Sequence, residues 1–167
     1  TVVPLRGPRV QISPSPPSLA EASYSVQVFL TFDIIFFMLL RDITIDDYPK
    51  LIPFWRDNYF VTDMDNKERF KLFLEKNPNL SILMEDNDGQ IVGTALGSFV
   101  GRRGYIQKVV IDKELRGKGI GKKLVNEVVK RLHRLGALYI PIAVEDKNIL
   151  FYERCGFKKT KQTSMSI

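Results

Sequence analysis

The stretch "VVIDKELRGKGIGKKLVNEVV", residues 109–129, constrains the fold more than any other part of this chain. It begins with β-branched residues, which favour a strand, and it ends with apolar residues at helical spacing. Gly117, Gly119 and Gly121 lie between these two patterns and alternate with other residues. Glycine lets the backbone adopt unusual conformations and approach a ligand closely. The stretch therefore predicts a strand, a tight turn and a helix whose first turn presents free N–H groups.

The chemistry of this turn favours a bound phosphate. Free N–H groups at a helix start attract anions, and four basic residues add positive charge: Arg116, Lys118, Lys122 and Lys123. A Walker A loop does not fit, because Arg116 and Lys123 stand where it needs glycine and a hydroxyl residue. The G-x-G-x-G spacing also differs from a dinucleotide fingerprint. A glycine-rich turn with a solvated basic face remains the simpler alternative.

The rest of the sequence predicts one α/β (α+β) domain with a mixed, mainly antiparallel central sheet flanked by helices. Alternating and apolar runs, with turns at "NDG" and "GRRG", predict strands over residues 38–44, 80–86, 90–100, 105–111, 137–144 and 157–163. Helical spacing predicts a first helix capped by Asp46, and further helices over residues 66–75, 120–135 and 148–155. We find no internal repeat and no linker within this part.

Residues 1–37 differ from the rest of the chain. The segment "GPRVQISPSPPSL" is rich in proline and serine, which disfavours regular structure. The apolar segment that follows carries Asp33 in its middle, which makes a membrane anchor a poor interpretation. We therefore expect residues 1–37 to be a disordered or artefactual leader, and residues 38–167 to form the domain, beginning at Met38.

Composition narrows the classes of partner and cofactor. The net charge is +6, which favours an anionic ligand. Cys155 is the single cysteine and His133 the single histidine, so neither a disulfide framework nor a metal site is expected. The cysteine usage is compatible with a cytoplasmic protein. The basic residues cluster at one helix start without interleaved aromatic residues, which disfavours a nucleic-acid-binding protein.

With these motifs in place, the sequence resembles the GCN5-related N-acetyltransferases. The segment "RGKGIG", residues 116–121, fits the acetyl-CoA motif Q/R-x-x-G-x-G/A of that family. The segment "LFYERCGF", residues 150–157, is similar to its second signature, and "GRRGYIQKVVI", residues 101–111, is similar to the turn and strand before the motif. The resemblance implies the family fold over residues 38 to about 160, and acetyl-CoA as cosubstrate without a metal.

The resemblance also implies cofactor contacts along the strand and the turn. Backbone groups of Val109, Val110 and Ile111 would line the pantetheine arm, where this strand usually splays from the next one. The turn would hold the pyrophosphate, mainly through backbone N–H groups, with these residues: Arg116, Gly117, Lys118, Gly119, Ile120, Gly121 and Lys122. Asn148 is a further candidate, although many members carry an asparagine where this chain has Glu145.

Two residues are candidates for catalysis. The phenol of Tyr152 could protonate the departing thiolate or hydrogen-bond its sulfur. Packing in the core is the alternative role of this ring. Glu145 follows the strand "YIPIAV" and is our candidate base, and an ordinary solvated carboxylate is the alternative. Cys155 is interpreted as a small buried hydrophobe.

These observations lead to a functional hypothesis. The resemblance implies transfer of an acetyl group from acetyl-CoA to a primary amine of a protein or a small molecule, by direct attack in a ternary complex. A CoA-binding sensor or regulatory module without turnover is the alternative. Asp57, Asp63 and Asp65, near the first helix, could attract the amine, and an ordinary loop that flanks the helix is the alternative. We expect no nucleic-acid or membrane partner, and a homodimer remains open.

Overall fold

A computed structural model describes residues 24–31 and 34–161 of the chain, with side chains from Met38 onward. Five strands form one sheet in the order β1 to β5, and every neighbouring pair is antiparallel. The strands are β1 Tyr24–Thr31, β2 Ile34–Asp42, β3 Ile82–Glu85, β4 Ile91–Phe99 and β5 Gly104–Ile111. The α-helices are α1 Tyr48–Asn58, α2 Lys67–Lys76, α3 Ile120–Arg134 and α4 Ile149–Arg154. The predicted fold class, an antiparallel sheet flanked by helices, is confirmed.

The first predicted strand starts earlier than the sequence indicated. Strand β2 begins at Ile34 and not at Met38, and its backbone pairs with β1 from Ile34 to Arg41. The proline-rich part of the predicted leader, residues 1–23, lies outside the described residues. The boundary of the domain at residue 38 stays a prediction.

The start of α1 is held by a different residue from the one predicted. Asp46 was the expected cap, but Thr44 and Asp47 form a capping box around the short 3₁₀ turn Ile45–Asp47 that leads into the helix. The Asp47 carboxylate accepts from the Thr44 N–H at 2.8 Å and also from the Arg41 guanidinium at 2.6 Å. The same guanidinium donates to Glu85 at 2.6 Å. This network links β2, α1 and β3, so tertiary contacts select Asp47 over its neighbour.

The helices cover both faces of the sheet. Helix α3 buries Leu124, Val128 and Leu132 on one face, against residues such as Ile82. On the other face a second cluster contains Leu51, Phe54 and Trp55 of α1, Phe70 of α2, and Leu83, Leu96 and Val110 of the sheet. The apolar positions of α3 repeat every three or four residues, as an amphipathic helix on a sheet requires. The helices therefore cover the centre of the sheet on both faces. A functional site is left to form at the ends of the strands.

Two predicted strands are wrong within the described residues. Residues 137–144 contain only one isolated parallel bridge, between Arg103 and Tyr139, and residues 157–161 contain no strand. Residues 162–163 of the last predicted strand lie outside the described part. Pro141 lacks an N–H for a ladder. β-Propensity indicates that a segment suits a sheet but does not supply a partner strand, so the apolar run was misinterpreted.

Candidate active site

The glycines of the turn before α3 serve two different purposes. Gly117 and Gly119 have φ angles of +81° and +84°, and Gly119 is the N-cap of α3. A side chain at either position would meet no atom within 4 Å, so the backbone conformation and not the available space requires glycine. The turn is exposed at residues 116–119, and it leaves the N–H groups of the first helical turn open to a ligand.

Gly121 is required for space. A Cβ atom at this position would lie 3.1 Å from the Phe151 ring and 3.4 Å from Cγ1 of Ile111. The absent side chain therefore lets α4 pack against the first turn of α3. This contact brings the two motifs of the sequence together, because Phe151 directly precedes Tyr152.

Tyr152 is half-buried in an aromatic group. Its ring centroid lies 4.8 Å from that of Phe151 and 5.8 Å from that of Phe157, both with edge-to-face geometry. Burial raises the pKa of Tyr152 to about 12, with smaller contributions from Cys155 and Tyr59. The phenol therefore keeps its proton at neutral pH and can act as a donor. Burial also raises the pKa of the Cys155 thiol, which keeps this thiol protonated.

Glu145 lies just before the helix that carries Tyr152. Its carboxylate is 2.5 Å from the Lys147 ammonium, and its side chain is about half exposed. The Glu145 carbonyl accepts from the Asn148 N–H at 2.8 Å, and Asn148 is the N-cap residue of α4. Both residues belong to the entry of this helix. Glu145 forms a solvated ion pair with Lys147, and its role as a base stays a prediction.

The outer edge of β5 is open next to the glycine turn. Near the start of β5, the Leu138 N–H donates to Arg102 at 2.9 Å and the Gly104 N–H donates to Tyr139 at 3.0 Å. Farther along, the described residues include no ladder partner on this edge of residues 106–111. Val110 is buried among the α1 side chains, whereas Val109 and Ile111 pack on the α3 side. An extended ligand could therefore pair with this backbone edge.

The basic residues of the turn differ in their contacts. The Arg116 guanidinium donates to the carbonyl of Asn58 at 2.8 Å and to that of Ile111 at 3.3 Å. Arg116 thus ties the end of α1 to the turn, and a phosphate contact by its side chain stays a prediction. Lys118 and Lys122 are exposed, and Ile120, the first residue of α3, is buried.

Lys108 is a residue that the sequence did not reveal. It has a φ angle of +49°, at a bulge where the pairing of β4 with β5 shifts between Thr94 and Leu96. The Lys108 carbonyl accepts from the Thr94 hydroxyl at 3.0 Å, and that hydroxyl accepts from the Trp55 indole at 3.0 Å. A lysine in a β-prone run carries no signal for such a conformation, because the side chains of other elements hold it in place.

The Lys108 side chain reaches the loop that follows α1. Its ammonium donates to the carbonyl of Phe60 at 2.9 Å and to the carboxylate of Asp65 at 2.8 Å. Asp65 also accepts from the Thr62 N–H at 2.8 Å. Asp65 is therefore occupied, which contradicts its suggested role of attracting an amine. Asp57 and Asp63 are exposed, as that role would require.

Tyr59 is a second residue that sequence reasoning missed. Burial raises its pKa, Glu145 raises it further, and Lys147 lowers it. Tyr59 also influences Tyr152, so its phenol lies within electrostatic range of both candidate catalytic residues. The segment "NYFV" contains two neighbouring aromatic residues after a helix, which was the available signal.

None of the helices in the described part of the chain has the length and the apolar character that a membrane span requires. The same residues contain no group of three or more His, Cys, Asp or Glu side chains that could hold a metal ion.

Comparison with known proteins identifies the family. Residues 39–157 match the model of the acetyltransferase (GNAT) family. Glucosamine-6-phosphate N-acetyltransferase from Arabidopsis thaliana has a TM-score of 0.65 and 23% identity, over 78% of this chain and 97% of that chain. A structure described as a predicted acetyltransferase with acetyl-CoA, from Clostridium acetobutylicum, has a TM-score of 0.63 and 22% identity, over 78% and 96% of the two chains.

Ard1 from Thermoplasma volcanium has a TM-score of 0.63 and 18% identity, over 74% of this chain and 84% of that chain. At these identities the structural likeness shows the fold, and the match of the family model extends over most of the sequence. The resemblance seen in the two motifs is thereby confirmed. The chain belongs to the acetyltransferase (GNAT) family.

Proposed function

We propose that the chain transfers the acetyl group of acetyl-CoA to a primary amine, by direct attack in a ternary complex. Family membership supports acetyl transfer in general. The observation that carries the finer proposal is the contact between Gly121 and Phe151. It joins a turn suited to a pyrophosphate with a helix that presents a protonated phenol, and acetyl transfer from CoA uses both.

The residues around the turn fit the cosubstrate. The open N–H groups of residues 117–122 would hold the pyrophosphate, because a helix start favours anions. Lys118 and Lys122 are exposed and would add positive charge. The backbone edge at Val109 and Ile111, where the Ile111 carbonyl also accepts from Arg116, would pair with the amide groups of the pantetheine arm. No metal takes part in this proposal.

Acetyl-CoA supplies the thioester carbonyl that the amine attacks when the new C–N bond forms and the C–S bond breaks. Tyr152 would donate its phenolic proton to the departing sulfur, or hydrogen-bond that sulfur and so stabilise its developing negative charge. The amine loses one proton during the reaction. Glu145, or water beside it, would accept this proton. Asn148 would hold the entry of the Tyr152 helix and contact the cosubstrate.

The proposal includes expectations about partners. The acceptor is a protein N-terminus, a lysine or a small amine, and the reaction occurs in the cytoplasm. Neither nucleic acid nor a membrane takes part, and a homodimer remains open. The lone cysteine and the clustering of basic residues at one turn support these expectations.

A comparison of the parent with Tyr152→Phe tests the chemistry. The assay measures CoA release from acetyl-CoA with a panel of amines and peptides, and calorimetry measures acetyl-CoA affinity. We expect kcat to fall by about 100-fold or more, because a general acid contributes that much, while the affinity is retained. Tyr105→Phe is the matched control, since Tyr105 is an exposed tyrosine near the start of β5.

Two outcomes would contradict the proposal. Equal CoA release by the parent and Tyr152→Phe would remove Tyr152 from the chemistry. Tight acetyl-CoA binding without release, against every acceptor, would favour the CoA-sensing alternative. Glu145 forms an exposed ion pair and is not held in place as a dedicated base. This observation supports the CoA-sensing alternative.

A further inference from the structure

A cavity of about 760 Å³ lies between α3 and the part of the chain that follows it. Its wall is formed by Val129 and His133 of α3, by residues 138–146 and by residues from 149 to 160. This volume falls within the range of small-molecule sites, and it is far more than an acetyl group would fill. We call this space the α4 cavity, because α4 forms one of its walls.

The α4 cavity exists because the chain after α3 leaves the sheet. This part of the chain meets β5 at one bridge, between Arg103 and Tyr139. Within the described residues, no ladder continues from that bridge to Glu145, and Pro141 lacks the N–H that a ladder would need. A space therefore remains between this segment and the helices α3 and α4.

Apolar side chains form much of the wall and are only partly buried. Six half-buried residues share this character: Val129, Ile140, Ile142, Val144, Ile149 and Phe157. By contrast, Leu124, Val128 and Leu132 on the inner face of α3 are 0% exposed. The acidic and lysine residues of the wall are exposed, as at a rim: Asp146, Glu153, Lys158 and Lys159. An apolar ligand would remove the remaining apolar surface from water, which is favourable.

Tyr152 links the α4 cavity to the proposed chemistry. Its side chain lines the cavity, and it is the residue that would protonate or hydrogen-bond the thioester sulfur. All lining residues come from positions 129–160, so none belongs to the strand edge or to the glycine turn that would hold the rest of the cosubstrate. The pantetheine arm would therefore reach the sulfur from outside the cavity. The acyl group, on the other side of the sulfur, would extend into it.

We propose that the α4 cavity binds the acyl chain of the cosubstrate, so that the protein also transfers acyl groups longer than acetyl. This inference rests on the proposed transfer to an amine and extends it by naming a further class of donor, the medium-chain acyl-CoA thioesters. The bonds are the same as in acetyl transfer. The C–N bond to the amine forms, the C–S bond breaks, the sulfur gains one proton and the amine loses one.

Calorimetry on the full chain tests the α4 cavity without turnover. The ligands are CoA, acetyl-CoA and hexanoyl-CoA, with no acceptor present. We expect hexanoyl-CoA to bind about 10-fold or more tightly than acetyl-CoA, because four additional methylene groups leave water. Acetyl-CoA should bind about as tightly as CoA, since its methyl group would reach only the part of the cavity beside Tyr152.

Three variants separate an effect on the α4 cavity from general damage. Ile142→Trp places a larger side chain in the wall and should abolish most of the preference for hexanoyl-CoA, while the affinity for acetyl-CoA is retained. Val144→Ser removes apolar surface without filling the space, and should reduce the preference in part. Leu72→Trp adds the same indole at an exposed position of α2 and should change neither affinity. Circular dichroism would confirm that each variant is folded.

CoA release extends the test to the reaction. With an acceptor that supports release from acetyl-CoA, kcat/KM should be higher for hexanoyl-CoA by about 10-fold or more, through a lower KM for the thioester. Tyr152→Phe should lower kcat to the same extent for both donors, because the acyl chain takes no part in proton transfer.

Several results would overturn this inference. Equal affinities for acetyl-CoA and hexanoyl-CoA would do so, and so would a preference that Ile142→Trp leaves intact. If both thioesters bind equally and Ile142→Trp raises the acceptor KM, the cavity belongs to the acceptor. If they bind equally and the variant lowers a dimer fraction in sedimentation, the cavity is a contact between copies. If no acceptor supports CoA release from either donor, the proposed function fails, and the calorimetric comparison still decides whether the cavity binds an acyl chain.

Discussion

The glycine turn before α3 and the loop of residues 59–65 are neighbours, joined through the hydrogen bonds of Asn58 to Lys113 and Arg116, and they are built in opposite ways. The turn takes its shape from its own residues, since Gly117 and Gly119 adopt positive φ angles that other residues avoid. The loop takes its position from Lys108, which is distant in the sequence and reaches it through an ion pair with Asp65. A region shaped by local residues and a region held by a distant side chain therefore lie next to each other.

This difference predicts how each region responds to substitution. In the turn, a variant should act on the backbone conformation and on cosubstrate affinity. In the loop, a variant should act on a charge pair and on the acceptor. Four substitutions test that division, and they are ordered by the size of the expected loss of stability.

Lys108→Met should have the largest effect on stability. It leaves the Asp65 carboxylate, which is 10% exposed, without its ammonium partner. The free energy of unfolding should fall by about 3 kcal/mol, because an unpaired buried charge is expensive. Urea denaturation measures the change. The double variant Lys108→Met/Asp65→Asn should be more stable than Lys108→Met alone. A double variant less stable than either single variant would contradict the long-range pair.

Gly121→Leu should affect the region of the glycine turn, because it acts where the first turn of α3 meets α4. The new side chain collides with the Phe151 ring, which lies 3.1 Å from the position of a Cβ atom. We expect a loss of about 2 kcal/mol in stability from overpacking, with loss of acetyl-CoA binding. Asn126→Leu, at an exposed position of α3, is the control for the added leucine. Unchanged affinity in Gly121→Leu would mean that the two motifs do not depend on this contact.

Gly119→Ala isolates the backbone conformation. No atom lies within 4 Å of the added methyl group, so the strain arises only from the φ angle of +84°. The free energy of unfolding should fall by about 1 kcal/mol, and acetyl-CoA affinity should fall while the acceptor KM is retained. Thermal melts with and without CoA measure both effects. A change confined to the acceptor KM would contradict the division between the two regions.

Arg116→Ala should have the smallest effect on stability. Arg116 is exposed, and its guanidinium bonds the carbonyls of Asn58 and Ile111. We expect a loss of only about 0.5 kcal/mol, as is usual at the surface. The comparison of interest is kinetic. An increase in the acceptor KM alone would assign Arg116 to the loop, whereas an increase in the acetyl-CoA KM alone would assign it to the phosphate.

Much of the sheet and of the glycine turn was predictable because the signals are local. The "NDG" and "GRRG" turns and the apolar spacing of α3 were interpreted correctly, and the helix and strands next to them are confirmed. The glycines lie in a turn before α3, and their role in holding a phosphate stays a prediction. The apolar run of residues 137–144 has the same local character, yet it meets β5 at one bridge only. Local propensity cannot predict whether a partner strand is available.

In the candidate site, too, the residues with local sequence signals were predicted and those that depend on long-range contacts were not. Tyr152 and Glu145 were found from a motif and a position in the sequence, and their roles stay predictions. Lys108 and Tyr59 were missed, because a lysine in a strand and a tyrosine after a helix have many ordinary explanations. The ion pair of Lys108 depends on a bulge, on Thr94 and on the loop after α1 at the same time.

The sequence by itself determined the family, the class of fold and the conformation of the glycine turn, since each depends on residue types at short spacing. Tertiary structure alone decided that Asp65 pairs with Lys108, that the absent side chain of Gly121 leaves room for Phe151, and that the rings of Tyr59 and Phe60 lie near the Lys108 ammonium. The physical reason is the separation along the chain over which each kind of interaction acts. Backbone preferences act within a few residues, whereas packing and charge pairing act between residues that only the complete fold brings together.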